Sequence, residues 1–266
     1  MEIDKAIVAF SGGIDSCLVL FAARQSLGRD NTVAVISNSA SLKNRDLTIA
    51  RDFCTQFDIQ LLEVDAGEIE NMNYRSNPIN RCYFCKTALY ETIDRLCGTH
   101  YKGFTPLNGS NIGDFGDFRP GLKAAGEFAV RSPLAECKFD KKIIRMVAQD
   151  LGLPTWDKPA SPCLSSRFPY GEEITEKKLK MVEMGEEILY LYGFKNSRVR
   201  FKDGMASIEV ENNLVRKLDG IKIQLSKKLK AIGFKGITID KDGFRTGKLN
   251  DNLSKEELKP WLVQNE

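Results

Sequence analysis

Histidine is almost missing from this chain: one occurs in 266 residues, His100. It lies in the turn-like stretch Cys97-Gly98-Thr99-His100-Tyr101-Lys102 and reads as an exposed loop residue, which argues against a histidine-rich zinc site or an imidazole-based dyad. No apolar run approaches the ~20 residues of a membrane-spanning helix. The start, Met1-Glu2-Ile3-Asp4-Lys5, has no basic stretch followed by an apolar one, so no signal peptide is expected, and a cytoplasmic protein is. An excess of one charge is also lacking, with 39 Lys and Arg against 36 Asp and Glu. A net charge of +3 argues against a nucleic-acid partner, whose phosphates call for a basic surface, while allowing a local basic pocket for a small phosphorylated substrate. Seven cysteines, an odd number, are not read as disulfides in such a compartment.

What is present is an alternation of strand and helix signals. Residues 3–10, 32–36 and 59–64 read as strands, 15–26, 42–57, 85–97 and 141–151 as helices, and a further strand leads into Leu107. Such alternation implies an α/β fold, a parallel sheet with helices on both faces, whose ligands bind at the carboxyl ends of the strands. Ser11–Ser16, Ser37-Asn38-Ser39 and Gly109-Ser110-Asn111 all fall at such ends. The texture changes near Pro159–Gly171. A long helix over 173–192, a hairpin over 198–210 turning at Asp203-Gly204, a helix over 213–231 and a strand over 236–239 then suggest a smaller C-terminal α/β domain. The expected division is 1–160 for the nucleotide domain, 161–171 for a cysteine-bearing loop and 172–266 for the small domain.

The first strand, Ala6-Ile7-Val8-Ala9-Phe10, runs directly into Ser11-Gly12-Gly13-Ile14-Asp15-Ser16 and then an apolar helix. Glycines permit the tight turn, and the free N–H groups and dipole of the helix start favour a phosphate. The Walker loop is ruled out, because it requires a lysine before its Ser or Thr. The pattern SGGxDS resembles instead the pyrophosphate loop (PP-loop) of the N-type ATP pyrophosphatases, which cleave ATP between the α and β phosphates and leave AMP on a substrate oxygen.

Two cysteine-bearing segments remain. Cys82-Tyr83-Phe84-Cys85 is a lone CxxC, open to a redox pair, half of a zinc site, two iron–sulfur ligands or two unrelated cysteines. No second CxxC or nearby histidine completes a zinc knuckle, and nothing else resembles a thioredoxin unit. The second segment, Ser161-Pro162-Cys163-Leu164-Ser165-Ser166-Arg167-Phe168-Pro169-Tyr170-Gly171, is an irregular loop with an arginine beside its cysteine. Arg198 and Arg200 alternate on one strand face, where guanidinium groups suit oxyanions.

The segment Leu151-Gly152-Leu153-Pro154-Thr155-Trp156-Asp157-Lys158-Pro159-Ala160, followed by the Cys163–Gly171 loop, resembles the sulfur transferases that build the nickel-pincer nucleotide of lactate racemase, the LarE family. Gly109-Ser110-Asn111, Asp114, Gly116-Asp117, Arg119-Pro120-Gly121 and Arg198-Val199-Arg200 fit the same family, and the match covers nearly the whole chain. The resemblance implies that ATP and Mg²⁺ adenylate a carboxylate of pyridinium-3,5-biscarboxylic acid mononucleotide and that sulfur then displaces AMP. In one branch the cysteine at the position of Cys163 gives up its own sulfur; in the other, three cysteines hold a [4Fe-4S] cluster that carries the sulfide. Cys82, Cys85 and Cys163 match the three-cysteine branch, since three thiolates leave one iron of a cubane open. Ser11, Gly12, Gly13, Asp15, Ser16, Ser37, Gly109 and Asp114 are then the nucleotide-binding residues, with Asp15 and Asp114 as Mg²⁺ ligands. Ser165, Ser166, Arg167, Arg198 and Arg200 are the substrate contacts, and Cys163, Asp15 and Arg167 the catalytic group. Asp117 in a Gly-Asp turn reads as a capping residue. Cys17, Cys54, Cys97 and Cys137 are expected to be packing residues. The resemblance also suggests a homo-oligomer. The rival readings are a tRNA thiolase of the same superfamily, disfavoured by the low net charge, and a non-catalytic nucleotide- or iron–sulfur-binding regulator.

Overall fold

The computed structural model describes residues 2–245, 248–251 and 253–262. In chain order the elements are β1 (Ala6–Ala9), α1 (Ile14–Leu27), β2 (Thr32–Ser37), α2 (Asn44–Gln56), β3 (Gln60–Val64), α3 (Met72–Arg75), α4 (Arg81–Thr99), β4 (Thr105–Leu107), α5 (Pro120–Glu127), α6 (Pro133–Glu136), α7 (Lys141–Asp150), α8 (Glu176–Leu191), β5 (Arg198–Lys202), β6 (Met205–Glu209), α9 (Val215–Gly220), α10 (Lys222–Ile232), β7 (Gly236–Ile239) and α11 (Lys255–Leu258). Short 3₁₀ turns include Ile112–Asp114 and Leu164–Arg167. No helix among the described residues is long and apolar enough to cross a membrane.

Backbone contacts divide the chain into two compact units. The first holds the residues up to Asn71, Asn80–Ser161 and the described residues from Ser254 on; the second holds Met72–Ile79 and the described residues of Pro162–Leu253. Two short segments thus cross the linear order that the sequence suggests.

The first unit is built on a parallel sheet in the order β3-β2-β1-β4. Its central strands β1 and β2 are buried on both faces, and alternation sends neighbours to opposite sides. Ala6, Val8, Ala34 and Ile36 pack on one face with Leu18, Val19, Phe53, Ile144 and Ala148, brought by α1, α2 and α7. Ile7, Ala9, Val33 and Val35 pack on the other with Leu89, Tyr90, Ile93, Ala124 and Ala125 of α4 and α5. The chain leaves β1 toward β2 and β3 and returns to the other side of β1 as β4. The carboxyl ends of β1 and β4 therefore flank the point where strand order reverses, the position at which open α/β sheets take ligands.

The second unit carries a mixed sheet, with β5 antiparallel and β7 parallel to β6. The hairpin turns at Asp203 and Gly204, both at positive φ. The single helix expected over 213–231 is broken into α9 and α10: the backbone leaves helical geometry at Ile221 (φ −111°, ψ 9°), next to the weak helix former Gly220. The helix expected from Cys85 starts at Arg81, which puts the whole CxxC on its first turn.

Candidate active site

In the first unit, β1 ends at Ala9 and α1 begins at Ile14. Gly12 adopts φ +66°, the left-handed region, and an added Cβ would stand 3.1 Å from the Asp46 carbonyl oxygen and 3.3 Å from Ala50 Cβ. The turn is tied internally. The Ser16 hydroxyl donates to the Gly13 carbonyl at 3.0 Å and lies 3.1 Å from the Ser11 hydroxyl, and the Ser11 N–H donates to it at 3.3 Å. Gly109, just past β4, approaches so closely that a Cβ there would lie 2.7 Å from the Ser16 nitrogen. Only glycine permits that contact, which joins two of the predicted nucleotide-binding segments at the sheet's reversal point.

Buried polar atoms without hydrogen-bond partners gather along the same edge. The Ser37 hydroxyl at the end of β2, the Asn108 amide nitrogen just past β4 and one carboxylate oxygen of Glu68 past β3 are all orphaned. The other Glu68 oxygen accepts from Ser39 and Ser41, and Glu68 itself is only 1% exposed. Leaving such groups unpaired costs about 1–3 kcal/mol each, so a ligand or water supplies the missing partners. Ser37 was expected at this edge. Glu68 and Asn108 were missed, and the one available signal was that Asn108 directly precedes Gly109 in the sequence.

The two carboxylates predicted to hold Mg²⁺ are each neutralised by a cation. Lys141 Nζ lies 2.5 Å from Asp15, and the Arg119 guanidinium 3.0 Å from Asp114. Asp114 also accepts from the Asn111 backbone N–H at 3.1 Å and from its side-chain amide at 3.0 Å, closing a capping box on the 3₁₀ turn. The chemistry suits a divalent cation that displaces an ammonium or guanidinium from a hard oxygen ligand. Asp117 is exposed, 3.6 Å from Arg119, and caps the Phe118 N–H.

Cys82 and Cys85 stand three apart on the first turn of α4, hence on one face. Cys82 is exposed with the Arg81 guanidinium 3.9 Å from its sulfur, and Cys85 is partly buried. Cys17 and Cys54 are buried in the core, where burial pushes both thiols up to about 12, so they serve as packing residues as expected. Cys137 does not. It is exposed at the end of the four-residue α6, where the chain turns through Lys138 at positive φ, while Leu134 and Phe139 on either side are the residues that meet the core.

In the second unit the Cys163 loop is rigidly held. Cys163 is exposed at the head of the Leu164–Arg167 turn, while Leu164, Ser165, Arg167 and Phe168 are buried beneath it. Ser165 meets the Tyr74 hydroxyl of α3 at 2.5 Å, and the Asn77 amide donates to the Pro169 carbonyl at 2.7 Å. These bonds are why residues 72–79 belong to this unit. Arg167, expected as a catalytic and substrate group, is 1% exposed and fully engaged. Its Nε donates to one oxygen of Glu186 at 2.7 Å and a terminal nitrogen to the other at 3.2 Å. The remaining nitrogen reaches the Pro162 carbonyl at 3.2 Å and the Ser166 hydroxyl at 2.7 Å.

The two strand arginines differ. Arg200 pairs with the buried Glu209 at 2.6 Å and donates to the Ser166 carbonyl at 3.1 Å. Arg198 has no salt-bridge partner among the described residues; its guanidinium stacks 4.1 Å over the Phe244 ring. Burial, reinforced by Arg167 and Arg200, pulls Arg198 down to about 10. A half-buried guanidinium under like-charge pressure has much to gain from an anion. Glu186 and Glu209, unremarked in the sequence, set which arginine stays available.

Cys82 and Cys85 lie in one unit and Cys163 in the other. No group of three or more His, Cys, Asp or Glu side chains among the described residues is gathered as a metal site. Thiolates are iron–sulfur ligands, and none of these three cysteines is in a disulfide or buried.

Residues 1–80 match the family model described as NAD synthase. An uncharacterized protein of Synechocystis sp. is 42% identical over 96% of this chain and 95% of its own length. An uncharacterized protein of Methanocaldococcus jannaschii is 31% identical over 91% of each. The pyridinium-3,5-bisthiocarboxylic acid mononucleotide synthase of Lactiplantibacillus plantarum is 34% identical over 97% of this chain and 93% of that enzyme. A match of that extent spans the glycine turn, the Cys163 loop and the arginine strand together, and with it the chain belongs to the LarE family of PP-loop, ATP-dependent sulfur transferases.

Proposed function

We propose that this enzyme adenylates a carboxylate of pyridinium-3,5-biscarboxylic acid mononucleotide and converts it to a thiocarboxylate for the nickel-pincer nucleotide. The carboxylate oxygen attacks the α-phosphorus of ATP and pyrophosphate departs. A sulfur nucleophile then attacks the acyl carbon, and AMP leaves with the carboxylate oxygen. The first step asks for positioning and charge neutralisation, which backbone donors and a divalent cation supply. Ser11, Gly12, Gly13 and Ser16 hold the pyrophosphate, Ser37 and Gly109 line the nucleotide, and Asp15 and Asp114 bind Mg²⁺ in exchange for Lys141 and Arg119. Arg198 takes the substrate phosphate with Arg200 beside it, and Arg167 holds the cysteine loop. Cys82, Cys85 and Cys163 are the residues that would hold a [4Fe-4S] cluster, which supplies a sulfide from its non-cysteine-ligated iron when bound. Cytoplasmic, homo-oligomeric action belongs to the same reading.

The observation that carries it is the β1–α1 junction, where Gly12 at positive φ and the close approach of Gly109 line the start of α1 with backbone. Pyrophosphate release from ATP and Mg²⁺ in the presence of the substrate tests it. Asp15→Ala is expected to abolish release while the fold, followed by circular dichroism, is retained. Wild-type release by the variant would remove Asp15 from the phosphate site.

Arg198→Ala is expected to weaken the mononucleotide substrate by about tenfold or more, the worth of a charge-assisted hydrogen bond, with little change in KM for ATP. Arg200→Ala weakens the same ligand and also destabilises the fold, because it leaves the buried Glu209 with only the longer 3.6 Å contact to Lys248 among its salt bridges in the described residues. Equal loss for both ligands in Arg198→Ala would count against the assignment.

A further inference from the structure

A lysine 146 residues from the glycine turn holds that turn in shape. Lys158 donates from Nζ to the Gly12 carbonyl at 2.8 Å and pairs with Asp46 at 3.0 Å. Its side chain is 14% exposed and that of Asp46 10%. Asp46 also accepts from the Ser161 hydroxyl at 2.6 Å. Arg145 pins the main chain around the lysine, donating to the carbonyls of Trp156 at 2.8 Å and Lys158 at 3.1 Å. The same Asp46 whose side chain fixes the ammonium presents its backbone oxygen to Gly12 from below.

A near-buried ion pair is an expensive way to fill space, and an apolar pair of similar volume is often as stable. Its value here is directional. In a planar trans peptide the carbonyl and the following N–H point to opposite sides. Holding the Gly12 carbonyl on Lys158 therefore aims the Gly13 N–H the other way, where it donates to Ser11 Oγ over a long 3.4 Å. Glycine visits both signs of φ readily, so nothing intrinsic to Gly12-Gly13 prevents that peptide from turning over. The turned-over peptide would present a carbonyl oxygen to an incoming phosphate where a donor is needed.

Resting on the phosphate-loop reading, we infer that Lys158, fixed by Asp46, is the positioning residue that keeps the Gly12–Gly13 peptide in its anion-receiving orientation. The lysine acts through the peptide and does not itself contact phosphate.

The full-length enzyme is assayed for pyrophosphate release against ATP concentration, and its thermal midpoint is measured with and without inorganic pyrophosphate. Lys158→Met is expected to raise KM for ATP about tenfold or more and to lose the pyrophosphate-induced rise in midpoint. Lys158→Arg, which can donate to both Gly12 and Asp46, is expected to restore both to near wild type. A merely structural lysine would lower the unliganded midpoint and the active fraction but leave KM unchanged. Wild-type KM and wild-type pyrophosphate shift in Lys158→Met, or an arginine variant no better than the methionine one, overturns the inference. Should Lys158→Met fail to fold, Asp46→Asn replaces it: a raised KM supports the inference and an unchanged KM overturns it. Failure of the wild-type enzyme to release pyrophosphate would instead sink the phosphate-loop reading itself.

Discussion

Under the proposed three-cysteine cluster, Cys163→Ala, Cys82→Ala and Cys85→Ala are each expected to bring sulfur transfer to background and to lack the brown colour that such a cluster would give the anaerobically purified protein. The effect is this large because a missing sulfur ligand has no substitute: alanine offers neither a nucleophile nor a metal ligand. Cys163 stands exposed on a loop whose neighbours are buried and hydrogen-bonded, so its removal disturbs no core and any loss is chemical. The pair on α4 sharpens the test. A cysteine that surrenders its own sulfur works alone, and Cys82 and Cys85 would then be dispensable. If three thiols share a cluster, all three variants fail alike and the peptide bearing Cys163 keeps its mass through turnover under anaerobic conditions. Loss of one H₂S from that peptide in step with product would establish the sacrificial route and overturn the three-cysteine assignment.

Arg167→Ala is expected to cost about 3–5 kcal/mol of stability, the usual penalty for leaving one member of a buried ion pair behind. Arg167 is 1% exposed and its partner Glu186 11%, so water cannot make good the loss. Glu186 also accepts from the Val199 backbone N–H at 3.3 Å, so the damage spreads from the cysteine loop to β5. Against a total of roughly 5–15 kcal/mol for a typical domain, this is a large fraction. Arg167→Lys should not rescue it, because one ammonium cannot span both Glu186 oxygens and the Ser166 hydroxyl in a planar fork. Urea denaturation followed by circular dichroism measures it, and a loss under about 1 kcal/mol, the scale of an exposed pair, would show that the pair is not structural.

The strand and helix alternation of the first 151 residues was legible because each strand is short, apolar and bounded by turn residues. The errors arose where local signals are shared. The strand expected from Ile3 starts at Ala6, where pairing with β2 and β4 begins; the two residues before it, Asp4 and Lys5, are charged. The helix expected over 213–231 has continuous helical propensity apart from Gly220, and the kink there appears only when α9 and α10 each pack on the sheet. Cys137 reads as a packing residue because its setting is helical, but only contacts decide which side of a short helix meets a core.

By itself the sequence determined the chemistry on offer: a glycine turn after an apolar strand, three cysteines in two motifs, arginines alternating on a strand, and almost no histidine. Those are properties of residue type and spacing, which survive without coordinates. Which arginine is available to an anion, which carboxylates are already compensated, and what holds the Gly12 carbonyl were decided only by tertiary structure. Arg167, Arg198 and Arg200 are the same residue to a sequence. They differ because Glu186 lies 19 positions from the first and Glu209 9 from the third, while the second finds Phe244. Coulomb energies and desolvation depend on distances of a few ångströms between residues far apart in the chain, and those distances exist only once the chain has folded.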